Sequence, residues 1–129
     1  MLIRHADQVP AQAMQMTGAS GVTMRLMVGR DDNAPNFAMR LFEVEPQGHT
    51  PCHSHNYEHE VMILEGSGQV VTGPDGSTFR PIKAGDVVFI PANETHQFRN
   101  VSGEPLRFLC MVPTQFDCGG GQCEPTPGS

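Results

Sequence analysis

The chain has 129 residues, 38% of them hydrophobic, with eight Lys and Arg against 14 Asp and Glu for a formal charge of -6. That length suits one domain with one core, and the acidic balance, with its arginines scattered singly, leaves no cluster of cations for phosphates and argues against nucleic acid. No apolar run approaches the roughly 20 residues of a membrane span, and the N-terminus lacks the apolar stretch of a signal peptide, so a cytoplasmic protein off the membrane is expected.

Residues 1–20 show no clean periodicity and read as an arm ending in the turn Thr17-Gly18-Ala19-Ser20-Gly21. Alternation of apolar and other residues then predicts a strand over Val22–Val28. The polar run from Gly29 to Asn36 is a turn, Phe37–Val44 is the next strand, and Pro46-Gln47-Gly48 turns the chain again. Glu60–Leu64 is a strand ended by Glu65-Gly66-Ser67-Gly68, and Gln69–Thr72 is expected to pair with it across that turn. Short strands follow over Thr78–Ile82, Val87–Ile90, Thr95–Arg99 and Leu106–Val112, each set off by Gly, Pro or Asn turns. No segment carries a helical period. This rhythm predicts an all-β fold, sandwich or barrel. Residues 114–129, rich in Gly and Pro, are expected to form a mobile tail.

Four of the six histidines fall in one constellation. His53, His55 and His59 lie in the string His53-Ser54-His55-Asn56-Tyr57-Glu58-His59, and His96 stands far downstream. Alternate residues of an extended chain share a face. His53, His55 and His59 therefore point one way, while Cys52, Glu58 and Glu60 point the other. His96 must fold back from a separate strand to join them. Neutral imidazoles are common ligands of divalent transition metals, which makes these four the candidate metal site. His5 and His49 read as ordinary solvated or hydrogen-bonded side chains.

Two longer motifs surround these histidines. Gly48 to Gly66 holds a Gly, a His-x-His pair, a ligand position four residues on, then an apolar strand and a Gly. Gly85 to Asn100 holds Gly85, Pro91, Asn93, His96 and Asn100 in order, with five, one, two and three residues between them. Together, over roughly residues 22 to 113, they resemble the two motifs of the cupin superfamily. Asn93 stands where the second motif usually has Gly, and Asn tolerates left-handed backbone better than most residues. Counting back from Gly66 by the usual six-residue gap lands on His59, where most cupins have Glu. The set His53, His55, His59 and His96 is similar to a small single-domain subgroup with His-x-His-x-x-Glu-His-Glu, which includes manganese-binding members. An alternative alignment takes Glu60 as a carboxylate ligand.

The resemblance implies a single-domain cupin, an antiparallel jelly-roll β-barrel over 21–113, with one divalent transition metal per chain inside it. Manganese is favoured by the resemblance, and iron, zinc, nickel and copper also suit imidazole. It implies a homodimer as well, with the arm of residues 1–20 packed across the interface. Four neutral ligands would leave the metal's charge uncompensated, which favours anionic partners and Lewis acidity. A metal-dependent oxidoreductase of dioxygenase type, acting on a small chelating or enolisable molecule, is the expected function. The alternatives are a non-catalytic small-molecule-binding or sensor module and a metal-dependent isomerase. Glu58 or Glu60 could orient a ligand histidine. Arg40, Phe42, Gln97, Arg99 and Phe108 are candidates to face the cavity, and Phe108 or Cys110 to line its mouth. Cys110 reads as a buried inert thiol, and the pair Cys118 and Cys123 as part of a redox-labile tail. The methionines within strands read as core filler rather than as a copper site.

Overall fold

A computed structural model describes residues 1–73 and 75–117. Among them nine strands and three short 3-10 turns follow one another. The strands are β1 (Gln12–Ala13), β2 (Ser20–Val28), β3 (Phe37–His49), β4 (His59–Glu65), β5 (Ser67–Thr72), β6 (Thr78–Lys83), β7 (Val87–Ile90), β8 (His96–Arg99) and β9 (Leu106–Pro113). All ladders are antiparallel, and the hydrogen-bonded order β6-β5-β8-β3-β9-β4-β7 curls into a jelly-roll barrel with β2 also on β3. No helix among the described residues is long and apolar enough to cross a membrane.

The spine is β3. From Phe37 to Val44 it pairs with β9 and β2, and at its end His49 pairs with Arg99 of β8. Gln47, at φ 69°, bends the strand between the two halves of the barrel. The expected turn at Pro46–Gly48 is therefore a bend within a strand. Its amides stay engaged: Gln47 N–H donates to the Asn100 carbonyl at 2.8 Å and Asn100 N–H to the Gly48 carbonyl at 3.0 Å.

The predicted pairing of β5 with β4 is not observed. β4 pairs with β7 and β9, and β5 with β6 and β8. The cause is the corner between them. Gly66 lies at φ +83° and packs so closely on the next loop that a Cβ would collide with the Pro105 carbonyl oxygen. The chain there leaves one half of the barrel for the other instead of folding back as a hairpin.

Alternation places the core. β9 alternates buried and half-buried residues along its length, and Val44, Ile63, Val71 and Leu106 are fully buried. Phe108 stacks on Phe98 and on Phe42, at centroid distances of 4.6 and 5.3 Å. Met24 fills the core as expected, but Met62 shares the outward parity of Glu60 and is 45% exposed.

The arm lies along its own barrel. Gln12 and Ala13 pair with Met24 and Thr23, and Arg25 donates to the carbonyls of Ala6 and Val9 at 2.9 and 3.0 Å. Of the expected tail, Thr114–Phe116 forms a 3-10 turn, and the Asp117 carboxylate accepts from the Arg30 amide at 2.9 Å. Cys118 and Cys123 lie outside the described residues.

Candidate metal centre

The segment leading into β4 alternates sharply. His55, Tyr57 and His59 are buried and His53 is half-buried, while Cys52, Asn56, Glu58 and Glu60 are exposed. His53 is locked to His96 by an isolated antiparallel bridge, with His53 N–H on the His96 carbonyl at 3.1 Å and His96 N–H on the His53 carbonyl at 2.9 Å. Asn93, in the left-handed region at φ 69°, donates its amide to the His55 carbonyl at 2.6 Å. The Asn that replaces the usual Gly thus makes the turn and ties the two histidine-bearing segments together.

Ring nitrogens of His53, His55 and His96 come within 4.8 Å of one another. The His59 ring stands beside them, with its centroid 5.0 Å from that of His55 and 5.2 Å from that of His96. Burial strips solvent from the imidazoles and holds them neutral. It is the largest cause in each case, lowering His53 to about 4, His55 to about 3 and His59 to about 2. His96 is also lowered by burial, against the raising effect of its bond to Glu94.

These rings fit a metal. The Nε2 atoms of His53 and His55 face each other at 2.8 Å. Neutral ring nitrogens brought this close could share one divalent ion. His96 Nδ1–H donates to the Glu94 carbonyl at 2.9 Å, leaving Nε2 as the free base. His59 Nδ1 meets Cys110 Sγ at 3.2 Å, and its Nε2 is buried without a hydrogen-bond partner among the described residues. A bond on the far nitrogen is the usual way to orient a ligand imidazole, and a buried, unpartnered, neutral ring nitrogen is a donor waiting for a cation.

The cluster opens on a cavity of about 40 Å³ whose walls include Arg40, Phe42, Phe98, Phe108 and Cys110. Arg40 is 3% exposed and sits over the Phe42 ring, its guanidinium carbon 5.0 Å from the centroid, and Nη2 donates to Cys110 Sγ at 3.2 Å. Of the residues expected to face the cavity, Arg40, Phe42 and Phe108 do so. Gln97 instead donates to the Thr50 carbonyl at 2.9 Å, and Arg99 donates to Gln97 at 2.8 Å. Cys110 is buried as expected, yet it touches both His59 and Arg40 rather than standing idle. Glu58 and Glu60 lie on the outer face, where their mutual contact and partial burial raise Glu60. Neither is placed to orient an inner imidazole. His5 caps a 3-10 turn through Asp7 N–H at 3.1 Å, and His49 rests near Gln97, both apart from the cluster.

Two contributions went unread in the sequence. Tyr57 has the inward parity of its histidine neighbours and stacks on them, a signal present in the two-residue alternation. Met14 and Met16, from the arm, close over the cavity. Nothing in the arm's pattern announces that.

Residues 40–112 match the family model of the cupin domain. The chain is a cupin. Over 117 residues this cupin is 31% identical to the oxalate-binding protein of Thermotoga maritima, a match covering 87% of this chain and 93% of that one. It is 43% identical over 79 residues to the 1-methylthio-D-xylulose 5-phosphate methylsulfurylase of Rhodospirillum rubrum, covering 61% of this cupin and 49% of the enzyme, so the match spans about half of that relative. In three dimensions it is similar to the polyketide cyclase RemF from Streptomyces resistomycificus, with a TM-score of 0.83 and 37% identity over 88% of this chain and 80% of that one.

Proposed function

We propose that this cupin is a metal-dependent enzyme for a small enolisable molecule with chelating oxygens, and that His53, His55, His59 and His96 hold its metal. The observation that carries the reading is the gathering of the His53, His55 and His96 ring nitrogens within 4.8 Å of one another, with the His59 ring beside them, at a cavity whose wall includes the buried Arg40. When bound, a divalent metal supplies Lewis acidity that stabilises an enolate oxygen. The chain's own groups do the rest. The Arg40 guanidinium in the cavity wall places positive charge where an anionic substrate oxygen would sit. Phe42, Phe98 and Phe108 exclude water, which strengthens each polar contact in the cavity. Manganese, favoured by the four-histidine pattern, and zinc both suit this role.

A non-oxidative reaction is favoured by two facts. An oxidisable thiol, Cys110, lies 3.2 Å from a proposed ligand ring, and the similar polyketide cyclase is named for ring closure. Dioxygenase chemistry on the same substrate class is the second reading, supported by the cupin fold that the chain shares. A homodimer belongs to the same proposal. Met62 and Val87 pair side by side on the outer face, 45% and 72% exposed, with Phe89 beside them at 57%.

The test is elemental analysis of protein purified without chelators, as wild type and His59→Ala, followed by incubation with a 1,3-diketone in air and under nitrogen. About one transition metal per chain, sharply reduced in the variant, is expected. Turnover under nitrogen supports the non-oxidative reaction, and turnover that consumes dioxygen transfers the assignment to a dioxygenase. A metal-free wild type, or full metal in His59→Ala, sinks the four-histidine site. Metal-dependent binding of the diketone without turnover makes the protein a binding module instead.

A further inference from the structure

The imidazoles differ in what orients them. His96 and His59 are each held through Nδ1, by the Glu94 carbonyl at 2.9 Å and by Cys110 Sγ at 3.2 Å. His55 has no such anchor. Its Nε2 faces His53, and its Nδ1 is buried with no hydrogen-bond partner among the described residues. The task that a hydrogen bond performs at a ligand imidazole must fall here to the ring face.

That face is occupied. The Tyr57 ring lies nearly parallel to His55, with centroids 4.8 Å apart and planes at 17°, and it also stacks on His59 at 5.2 Å and 28°. Phe116 stacks on the same tyrosine at 3.9 Å and 10°. Phe116 belongs to the turn Thr114–Phe116, and the residue after it, Asp117, is 2% exposed and accepts from the Arg30 amide at 2.9 Å. A carboxylate buried on a backbone N–H is a firm anchor. The C-terminal turn is thus pinned beyond the end of β2, and it presses an aromatic pair against two imidazoles.

We propose that Tyr57, backed by Phe116, is a positioning residue for the metal ligands His55 and His59, so that the turn at 114–116 sets the affinity of the metal site. This rests on the metal reading given above. Stacking fixes the tilt of a ring whose far nitrogen has nothing to hold, and a ring free to tilt presents its Nε2 to the ion for only part of the time.

The experiment reloads metal-stripped protein with cobalt(II) as wild type, Tyr57→Phe, Tyr57→Leu and Phe116→Leu. It reads affinity by chelator competition and ligand geometry from the cobalt visible bands. Tyr57→Phe keeps the ring and is expected to keep wild-type affinity and bands. The two Leu variants keep apolar bulk but lose the stack, and each is expected to bind about tenfold more weakly or worse, the usual loss when a ligand's supporting partner is removed, with shifted bands. Leu variants with wild-type affinity and bands overturn the proposal. So does a result in which they only melt at lower temperature as metal-free proteins, because that is a structural role alone. Should Tyr57→Leu not fold, Phe116→Leu decides. A wild type that takes up no cobalt is a separate result and overturns the metal reading itself.

Discussion

Asn100 ends the second motif, and replacing it with Ala is expected to cost about 3 kcal/mol of stability. Its side chain is 1% exposed and makes four hydrogen bonds. Nδ2 donates to the Val44 carbonyl at 2.9 Å and to the Glu104 carbonyl at 2.7 Å, and Oδ1 accepts from Ser102 N–H at 3.0 Å and Ser102 Oγ–H at 2.8 Å. Glu104 is exposed and Ser102 half-buried, so their groups recover water on truncation and lose about 1 kcal/mol or less each. Val44 is fully buried, and a carbonyl stripped of a partner there costs about 1–3 kcal/mol. Against a total stability of about 5–15 kcal/mol this is a large fraction. Asn100→Asp, equal in size, is expected to cost at least as much, because a second acceptor then faces two carbonyl oxygens. Urea unfolding of metal-free protein measures both. Variants within about 1 kcal/mol of wild type, with unchanged denaturant slope, would refute this account of the motif's last residue.

Two further outcomes are expected. Gly66→Ala should destabilise more than Gly85→Ala in thermal unfolding. Both positions have positive φ, +83° and +96°, but only the Cβ at 66 collides with backbone, while nothing lies within 4 Å at 85; equal losses would mean that the corner yields. Metal-free protein should lose stability as pH falls from about 6.5, the ordinary histidine value, towards about 4, where His53 titrates. In that window the unfolded chain binds protons at His53, His55 and His59 that the folded chain refuses, so stability is complete above it and declines as pH falls through it. Unfolding midpoints at pH 7.5 and 5.5 check this, and equal midpoints would mean that the cluster is already solvated.

His53, His55 and His59 were legible as one face because an extended chain repeats every two residues, which sorts them from Glu58 and Glu60, while the Gly66 spacing pointed to His59 and the second motif to His96. Tyr57 obeys the same parity. It was overlooked because a lone tyrosine carries no spacing of its own. The partner of β5 was not legible. Gly66 followed by small residues suits a hairpin and a barrel corner equally, and the choice is made by Pro105, distant in sequence. Met14 and Met16 escaped for a similar reason. The two-residue strand before them, Gln12–Ala13, takes its place from the Met24 and Thr23 backbone across from it, and Met14 N–H donates to the Val22 carbonyl at 2.9 Å.

The bridge between His53 and His96 has a bearing on how the proposed site would take up an ion. Where metal ligands are gathered from an unfolded chain, capture and folding are one event, and chelators denature the protein. Here two candidate ligands are pinned opposite each other by main-chain hydrogen bonds belonging to the barrel itself. If the proposed site holds an ion, that ion would meet a standing receptacle with little chain to rearrange. Exchange would then proceed after folding, and the ion held would reflect supply weighed against the affinity series of the divalent metals, not the ion present when the chain first folded.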